Sequence, residues 1–139
     1  METPIQRLDF PNHRNVRLYC KREDLLPFSL GGNKVRIGQA FYADMLAKGK
    51  DCMMVYGNSR SNLCRVLANL CRAHQIPCYM ICSREEGEES GIETNNSRLM
   101  KWLGAEVIPC EKTNIAQTVE DTVNRLTARV PSSASTTTP

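Results

Sequence analysis

Two short polar segments of the sequence combine residue types that could bind and activate a small anionic ligand. In the first, a Gly-Gly-Asn-Lys run precedes a helical apolar pattern, so that Lys34 falls in the first helical turn with Arg36. The positive end of the helix dipole opposes a cation there, which favours an uncharged, nucleophilic amine. The two glycines let a flat ligand approach the backbone closely. A solvent-exposed surface lysine is the simpler alternative.

The second segment, residues 57–62, reads Gly-Asn-Ser-Arg-Ser-Asn and lies between a short apolar run and a helical pattern. Its hydroxyl and amide side chains and its free backbone N–H groups would form an anion cradle at a helix N-terminus. An ordinary turn whose Ser or Asn caps the helix is the alternative. The segment is neither a P-loop nor Gly-x-Gly-x-x-Gly, so nothing specific supports binding of a nucleotide phosphate.

The elements that would position these segments alternate between strand and helix patterns. Apolar runs predict strands at residues 16–20, 52–56, 78–82 and 105–109, whereas residues 1–15 read as irregular. Helical stripes follow at 33–48 and 63–74, from a capping box at 90–93, and at 115–126. The last three strand–helix pairs predict an α/β fold: a small open parallel sheet of three to four strands with flanking helices. Ligands bind beyond the carboxyl ends of such strands, where residues 57–62 lie.

The composition is that of an ordinary globular domain. The chain has 139 residues, 41% of them hydrophobic, and a net charge of +3, which gives no argument for nucleic acid or a membrane as partner. Seven cysteines, an odd number, do not suit a disulfide framework, and His13 and His74 are isolated, so no metal site is expected. The absence of a signal peptide or long apolar run predicts a soluble cytoplasmic protein.

Three motifs occur in order along the chain: Lys21-Arg-Glu-Asp-Leu25, Ser29-Leu-Gly-Gly-Asn-Lys-Val-Arg36 and Ser61-Asn-Leu-Cys-Arg65. Together they resemble the pyridoxal-phosphate enzymes of the tryptophan synthase β-type fold. The branch they resemble contains 1-aminocyclopropane-1-carboxylate deaminase and D-cysteine desulfhydrase, and the resemblance runs from about residue 4 to residue 126. It implies pyridoxal 5′-phosphate as cofactor and a small amino acid as substrate.

The resemblance also implies which residues contact the cofactor. Lys34 would carry it as an aldimine and, once released, would serve as a base. Asn62 would hydrogen-bond the 3-hydroxyl oxygen of the cofactor, and Asn33 would set the position of the lysine. Protein groups of this kind orient the cofactor, which acts as the electron sink.

The substrate would bind to the second segment. By the same resemblance, Ser61 and the neighbouring N–H groups, with Asn62, Ser59 and Arg60, would hold the substrate carboxylate. The family loop often reads Gly-Ile-Gln-Ser-Asn-His, whereas here Ser59-Arg60 replaces Ile-Gln and Leu63 replaces His. Arg60 therefore adds a cation, which would favour a substrate with a second acidic group.

The length of this chain, compared with that of family members, indicates how much of such an enzyme it contains. Family members are much longer and hold the cofactor phosphate and the pyridine nitrogen with later residues. The resemblance therefore implies an N-terminal strand–helix arm of an incomplete larger domain at 1–50, the small α/β domain at 51–128 and a disordered tail at 129–139. We expect an N-terminal fragment of a pyridoxal-phosphate-dependent lyase or deaminase that is inactive as an isolated chain and binds the cofactor weakly or not at all.

Two other functions are compatible with the sequence. The apolar faces of the arm would be exposed, which predicts a homo-oligomer. A non-catalytic α/β binding or interaction module that pairs with another chain is the first alternative. The second is a stand-alone flavodoxin-like protein that binds a nucleotide or flavin at residues 57–62.

Overall fold

The computed structural model describes residues 1–11, 13–84 and 93–128. The first part of the chain forms strands β1 (Ile5–Leu8) and β2 (Leu18–Lys21), a short 3₁₀ helix (Glu23–Leu25) and helix α1 (Lys34–Ala47). Strands and helices then alternate through β3 (Met53–Gly57), α2 (Asn62–Ala73), β4 (Cys78–Arg84), α3 (Asn95–Trp102) and β5 (Glu106–Glu111). A 3₁₀ turn (Lys112–Asn114) leads into α4 (Ile115–Ala128).

The predicted parallel sheet is confirmed. Strands β3, β4 and β5 lie side by side in that order, and both pairs are parallel. The central strand is covered on both faces, since Met80 and Ile81 are adjacent and both fully buried. Helix α2 packs on β3 and β4, and α4 packs on β4 and β5. The described sheet therefore has three strands, the lower end of the predicted range.

The prediction that residues 1–15 are irregular is wrong for β1. Residues 5–8 pair with β2 in an antiparallel ladder that joins Ile5 to Lys21 and Leu8 to Leu18. Every side chain of β1 is exposed, so this strand lacks the alternation of buried and exposed residues that makes a strand visible in a sequence. Backbone hydrogen bonds hold it, and they leave no side-chain pattern.

Helix α3 begins later than the sequence pattern suggested. Its N-cap is Thr94, whose side chain accepts from the backbone of Ser97, and the Ser97 side chain accepts in turn from the Thr94 N–H. Of the predicted capping box, only Glu93 is among the described residues. The predicted disordered tail also lies outside them.

Helix α1 packs against α2, and this contact joins the first part of the chain to the sheet. A β-carbon added at Gly38 would lie 2.9 Å from a methyl carbon of Val66, so the helices approach closely because residue 38 has no side chain. Val35 and Val66 are buried in one cluster with Leu26, next to the larger core around Met80. In the described part of the chain, no helix is long and apolar enough to cross a membrane.

Candidate functional site

Lys34 is the first residue of α1 and is half-buried. Within the described residues its Nζ makes no hydrogen bond and no ion pair. Asn33 occupies the N-cap position, where it is exposed and forms no side-chain cap. The helix therefore begins with a free primary amine in its first turn.

The turn before Lys34 has a backbone that strongly favours glycine. Gly31 and Gly32 have φ angles of +70° and +92°. A β-carbon on Gly31 would lie 2.5 Å from the carbonyl oxygen of Asp24, which is a clash with backbone. The N–H of Gly32 donates to the carbonyl of Glu23 at 2.7 Å. The two glycines thus press this turn against the 3₁₀ helix and fix where α1 begins.

The Glu23 side chain binds the first turn of α1 directly. Its carboxylate accepts from the hydroxyl of Thr3 at 2.6 Å and from Nε of Arg36, and an NH2 group of Arg36 donates to Thr3 at 3.2 Å. The Arg36 hydrogen bond, followed by that of Thr3, lowers the pKa of Glu23. The first motif and the motif that contains the lysine are therefore joined by one contact.

The second segment forms a tight loop between β3 and α2. The Ser61 hydroxyl oxygen accepts from the backbone N–H of Cys64 at 3.2 Å, which makes Ser61 the N-cap of α2. The Asn58 side chain accepts from the backbone N–H of Arg60 at 3.1 Å. A β-carbon on Gly57 would lie 2.6 Å from Sγ of Cys64. The capped turn expected as the alternative is thus present, and it lies at the carboxyl end of a parallel strand, where the cradle was expected.

Cys64 lies beneath this loop as a structural thiol. It is buried, its Sγ contacts the carbonyl of Tyr56 at 3.5 Å, and its burial raises the pKa of the thiol. All seven cysteines are free. Among the described residues, no group of three or more His, Cys, Asp or Glu side chains could hold a metal ion.

Two residues that the sequence analysis did not single out hold the loop in place. Thr94 donates from its hydroxyl to the carbonyl of Ser59 at 2.6 Å. Nδ2 of Asn96 donates to the carbonyl of Arg60 at 2.8 Å and to Oδ1 of Asn62 at 3.0 Å. The signal was the polar run Thr-Asn-Asn-Ser at a helix start. Thr94 and Asn96, with Arg60 and Asn95, also line a cavity of about 290 Å³.

The crossing of α1 and α2 relates Lys34 to Asn62. Gly38 and Val66 meet at the crossing, and Lys34 and Asn62 each precede their crossing residue by four positions. Residues four apart share one face of a helix, so both side chains lie one turn before the crossing, on the faces that meet there. The loop before α2 thus contains Ser59, Arg60 and Ser61, and Asn62 is the first residue of the helix. This end of α2 lies one helical turn before the point where α2 contacts α1, the helix that begins with Lys34.

The chemistry of this donor set fits one kind of ligand. Lys34 supplies an unpaired amine, which can attack a carbonyl carbon. The oxygen of the Asn62 side chain is engaged by Asn96, so its NH2 group is left to donate to an acceptor. The N–H groups of Arg60 and Ser61 are bonded to Asn58, whereas the Ser61 hydroxyl and the remaining N–H groups at this helix start suit a carboxylate. An aldehyde with a hydroxyl oxygen on its ring would suit the amine of Lys34 and the NH2 group of Asn62. An amino acid would supply the carboxylate.

Comparison with known proteins leads to the same chemistry. Residues 1–136 match the family described as pyridoxal-phosphate dependent enzyme, and the chain belongs to this family. The predicted cofactor class is thereby confirmed, since dependence on pyridoxal phosphate defines the family. The predicted α/β fold is confirmed as well.

Two curated relatives are D-cysteine desulfhydrases. The protein of Yersinia pestis (strain Pestoides F) is 31% identical over 115 residues, which cover 81% of this chain and 35% of the relative. That of Serratia proteamaculans (strain 568) is 30% identical over 131 residues, covering 91% and 40%. The chain thus spans 35% to 40% of the length of these relatives.

Solved structures show the same fold. A structure described as an ACC deaminase homologue has a TM-score of 0.70 and 26% identity, and the match covers 92% of this chain and 39% of that one. A hydrogen sulfide-producing enzyme from Fusobacterium nucleatum has a TM-score of 0.66 at 15% identity, over 88% and 39% of the two chains. The second likeness concerns the fold alone.

Proposed function

We propose that this chain supplies the amine-bearing and carboxylate-binding parts of a pyridoxal-phosphate-dependent lyase or deaminase that acts on a small amino acid. The observation that carries the proposal is the unpaired amine of Lys34, held at the start of α1 beside the helix that begins at Asn62. When bound, the cofactor acts as the electron sink for the bond that breaks in the substrate.

Each residue of the site has a task that its contacts allow. The Lys34 amine would hold the cofactor and would accept a proton from the substrate. Asn33 precedes it at the N-cap position, where its backbone carbonyl accepts from the N–H of Ile37 at 3.5 Å, and would set the position of the lysine. The NH2 group of Asn62 would donate to the 3-hydroxyl oxygen of the cofactor. Ser61 and those N–H groups of its loop that are not bonded to Asn58, beginning at Ser59, would bind the substrate carboxylate.

Arg60 would select among substrates. It is exposed in the same loop and lines the cavity next to α3. A cation at this place favours a substrate with a second acidic group, because a neutral side chain gains nothing from the guanidinium. In the complete enzyme, an Arg60→Gln change should raise the KM for an acidic amino acid about tenfold and leave the KM for a neutral one unchanged, as expected for the loss of one charged hydrogen bond.

The cofactor phosphate needs residues other than those described. The only adjacent glycines among the described residues, Gly31 and Gly32, are used by the turn before Lys34. We therefore expect the 139-residue chain by itself to bind pyridoxal phosphate weakly and to be inactive. A tight complex with a stable cofactor absorbance band would refute this part of the proposal.

The proposal is tested by titrating the ¹⁵N-labelled chain with pyridoxal phosphate and following the backbone amide resonances. We expect shifts concentrated at residues 33–34 and 59–62, and their loss in the Lys34→Ala variant. Lys48→Ala is the matched control, since Lys48 is the C-cap residue of α1 but its side chain is 62% exposed and paired with Asp44. Shifts that persist in Lys34→Ala, or that lie elsewhere, would contradict the proposal.

A second proposal concerns association, and the observation that favours it is the exposed apolar surface of the β1–β2 hairpin. Ile5, Leu18 and Tyr19 are 68%, 40% and 58% exposed. Surfaces of this kind pack against another protein, which supports a homo-oligomer or, in the non-catalytic alternative, pairing with another chain. Sedimentation of the Ile5→Lys variant should show a smaller species than the wild type; identical monomeric behaviour of both would refute association through this surface.

A further inference from the structure

We infer that Asn96, in the first turn of α3, is a positioning residue that fixes the side-chain amide of Asn62 with its NH2 group available to the ligand. This inference rests on the proposed function, in which that NH2 group donates to the 3-hydroxyl oxygen of the cofactor. Asn96 is not among the residues that the motifs identify.

The direction of the Asn62 amide follows from what Asn96 can do. Nδ2 of Asn96 has two hydrogens and no acceptor capacity. It lies 2.8 Å from the carbonyl oxygen of Arg60 and 3.0 Å from Oδ1 of Asn62. One hydrogen of Nδ2 is thus donated to the Arg60 carbonyl and the other to Oδ1 of Asn62. The oxygen of the Asn62 side chain must face Asn96, and its NH2 group takes the other direction.

Without Asn96 the two orientations of the Asn62 amide would differ little in shape. The oxygen and the nitrogen of an asparagine amide are nearly the same size, and only hydrogen bonds distinguish the two rotamers. Asn62 is itself exposed at the start of α2, so packing does not settle the choice. The hydrogen bond from Asn96 therefore decides whether the ligand meets a donor or an acceptor.

Asn96 is held in place for this task. Thr94 and Ser97 form the capping box that starts α3, with Asn96 between them. The Thr94 hydroxyl also bonds the carbonyl of Ser59 at 2.6 Å, which ties the same helix end to the same loop. The hydrogen bonds from Thr94 and Asn96 to the carbonyls of Ser59 and Arg60 therefore fix the position of Asn96 relative to Asn62.

An aspartate at position 96 should reverse the arrangement. A carboxylate only accepts, so it would repel Oδ1 of Asn62 and bind its NH2 group instead. Asn62 would then present its side-chain oxygen to the 3-hydroxyl oxygen of the cofactor, and two hydrogen-bond acceptors would face each other. The change replaces an NH2 group by an oxygen and alters little in size.

The first test needs no cofactor. The side-chain NH2 resonances of Asn62 are recorded in the ¹⁵N-labelled chain and in its Asn96→Asp, Asn96→Ala and Asn95→Asp variants. Asn95 is the matched control, because it is the exposed neighbour and the change in charge is the same. We expect both Asn96 variants to shift these resonances and Asn95→Asp to leave them in place. Unchanged Asn62 resonances in Asn96→Asp would overturn the inference.

The second test is a double-mutant cycle on the affinity for pyridoxal phosphate. Asn96→Ala should weaken binding about 3- to 10-fold, which is the range for one hydrogen bond, and should have no effect in the Asn62→Ala background. Equal weakening in both backgrounds would mean that Asn96 acts on structure in general and would overturn the inference. If Asn62→Ala alone binds like the wild type, the role of Asn62 in the proposed function fails, while the resonances still decide whether Asn96 orients its amide.

Discussion

Glu23 of the first motif binds Arg36 of the second across the first turn of α1, and among the described residues Lys34 is left without a counterion. Both Lys34 and Arg36 oppose the helix dipole at this end. Among the described residues, Arg36 forms an ion pair with a carboxylate and Lys34 does not. The amine is therefore half-buried and has no hydrogen-bonding or ionic partner among the described residues, which leaves it available to a carbonyl group.

The Glu23–Arg36 contact should make stability depend on acid pH. The pKa of Glu23 is below its ordinary value of 4.5, so its contribution to folding is present above pH 4.5 and is lost as the pH falls through the lower, folded-state pKa. Thermal unfolding between pH 7 and pH 2 should show this loss in the wild type. Glu23→Gln should be less stable at pH 7 and should show a smaller decrease towards low pH. An acid limb that is the same in both proteins would refute the contribution of Glu23.

The glycine turn offers a matched pair of substitutions. Gly31 and Gly49 both have positive φ angles, so alanine at either should cost about 1–2 kcal/mol of conformational strain. Only at Gly31 would the added β-carbon meet backbone, whereas nothing lies within 4 Å at Gly49. Urea unfolding should therefore show a larger loss of stability for Gly31→Ala than for Gly49→Ala. Equal losses would mean that the turn is not pressed against the 3₁₀ helix.

The crossing of α1 and α2 can be tested at Gly38. Alanine is normally the better residue within a helix, by about 1 kcal/mol. Here its β-carbon would lie 2.9 Å from the stiff Val66 side chain, so we expect Gly38→Ala to destabilise by about 1–3 kcal/mol. A Gly38→Ala/Val66→Ala double variant should be more stable than the sum of the single changes predicts. Additive effects in urea unfolding would show that the helices do not meet at these residues.

Ser61 has a structural and a proposed functional role that substitutions can separate. Ser61→Ala removes the cap on α2 and should cost about 1 kcal/mol of stability. Ser61→Asp keeps an acceptor at the cap and should leave stability close to that of the wild type. Its negative charge should nevertheless weaken the binding of an amino-acid carboxylate in the complete enzyme. Stable protein with unimpaired substrate binding in Ser61→Asp would contradict the assigned site.

The sequence predicted the sheet and the helices because their apolar patterns reflect burial. β4 was visible since both its faces are covered, and α2 because its buried residues recur on one face. β1 was missed because all its side chains are exposed and leave no alternating pattern. The start of α3 at Asn95 was missed because two capping patterns, at Ser90 and at Thr94, stand only four residues apart.

The site was predicted in its parts but not in its connections. The motifs identified Lys34 and Asn62, and the roles assigned to them remain predictions. The contact between Glu23 and Arg36 joins residues 13 positions apart, and that between Asn96 and Asn62 joins residues 34 apart. Such pairs depend on how elements fold back on one another, and neither composition nor periodicity records that.

The central claim is that Lys34 is the amine that binds pyridoxal phosphate, and chemical trapping tests it most directly. The chain is incubated with excess pyridoxal phosphate, reduced with borohydride and digested, and the modified lysines are mapped by mass spectrometry. We predict modification predominantly at Lys34, above that at the more exposed Lys48 and Lys101, whose side chains are 62% and 58% exposed. Modification that follows exposure, with Lys48 and Lys101 ahead of Lys34, would contradict the account.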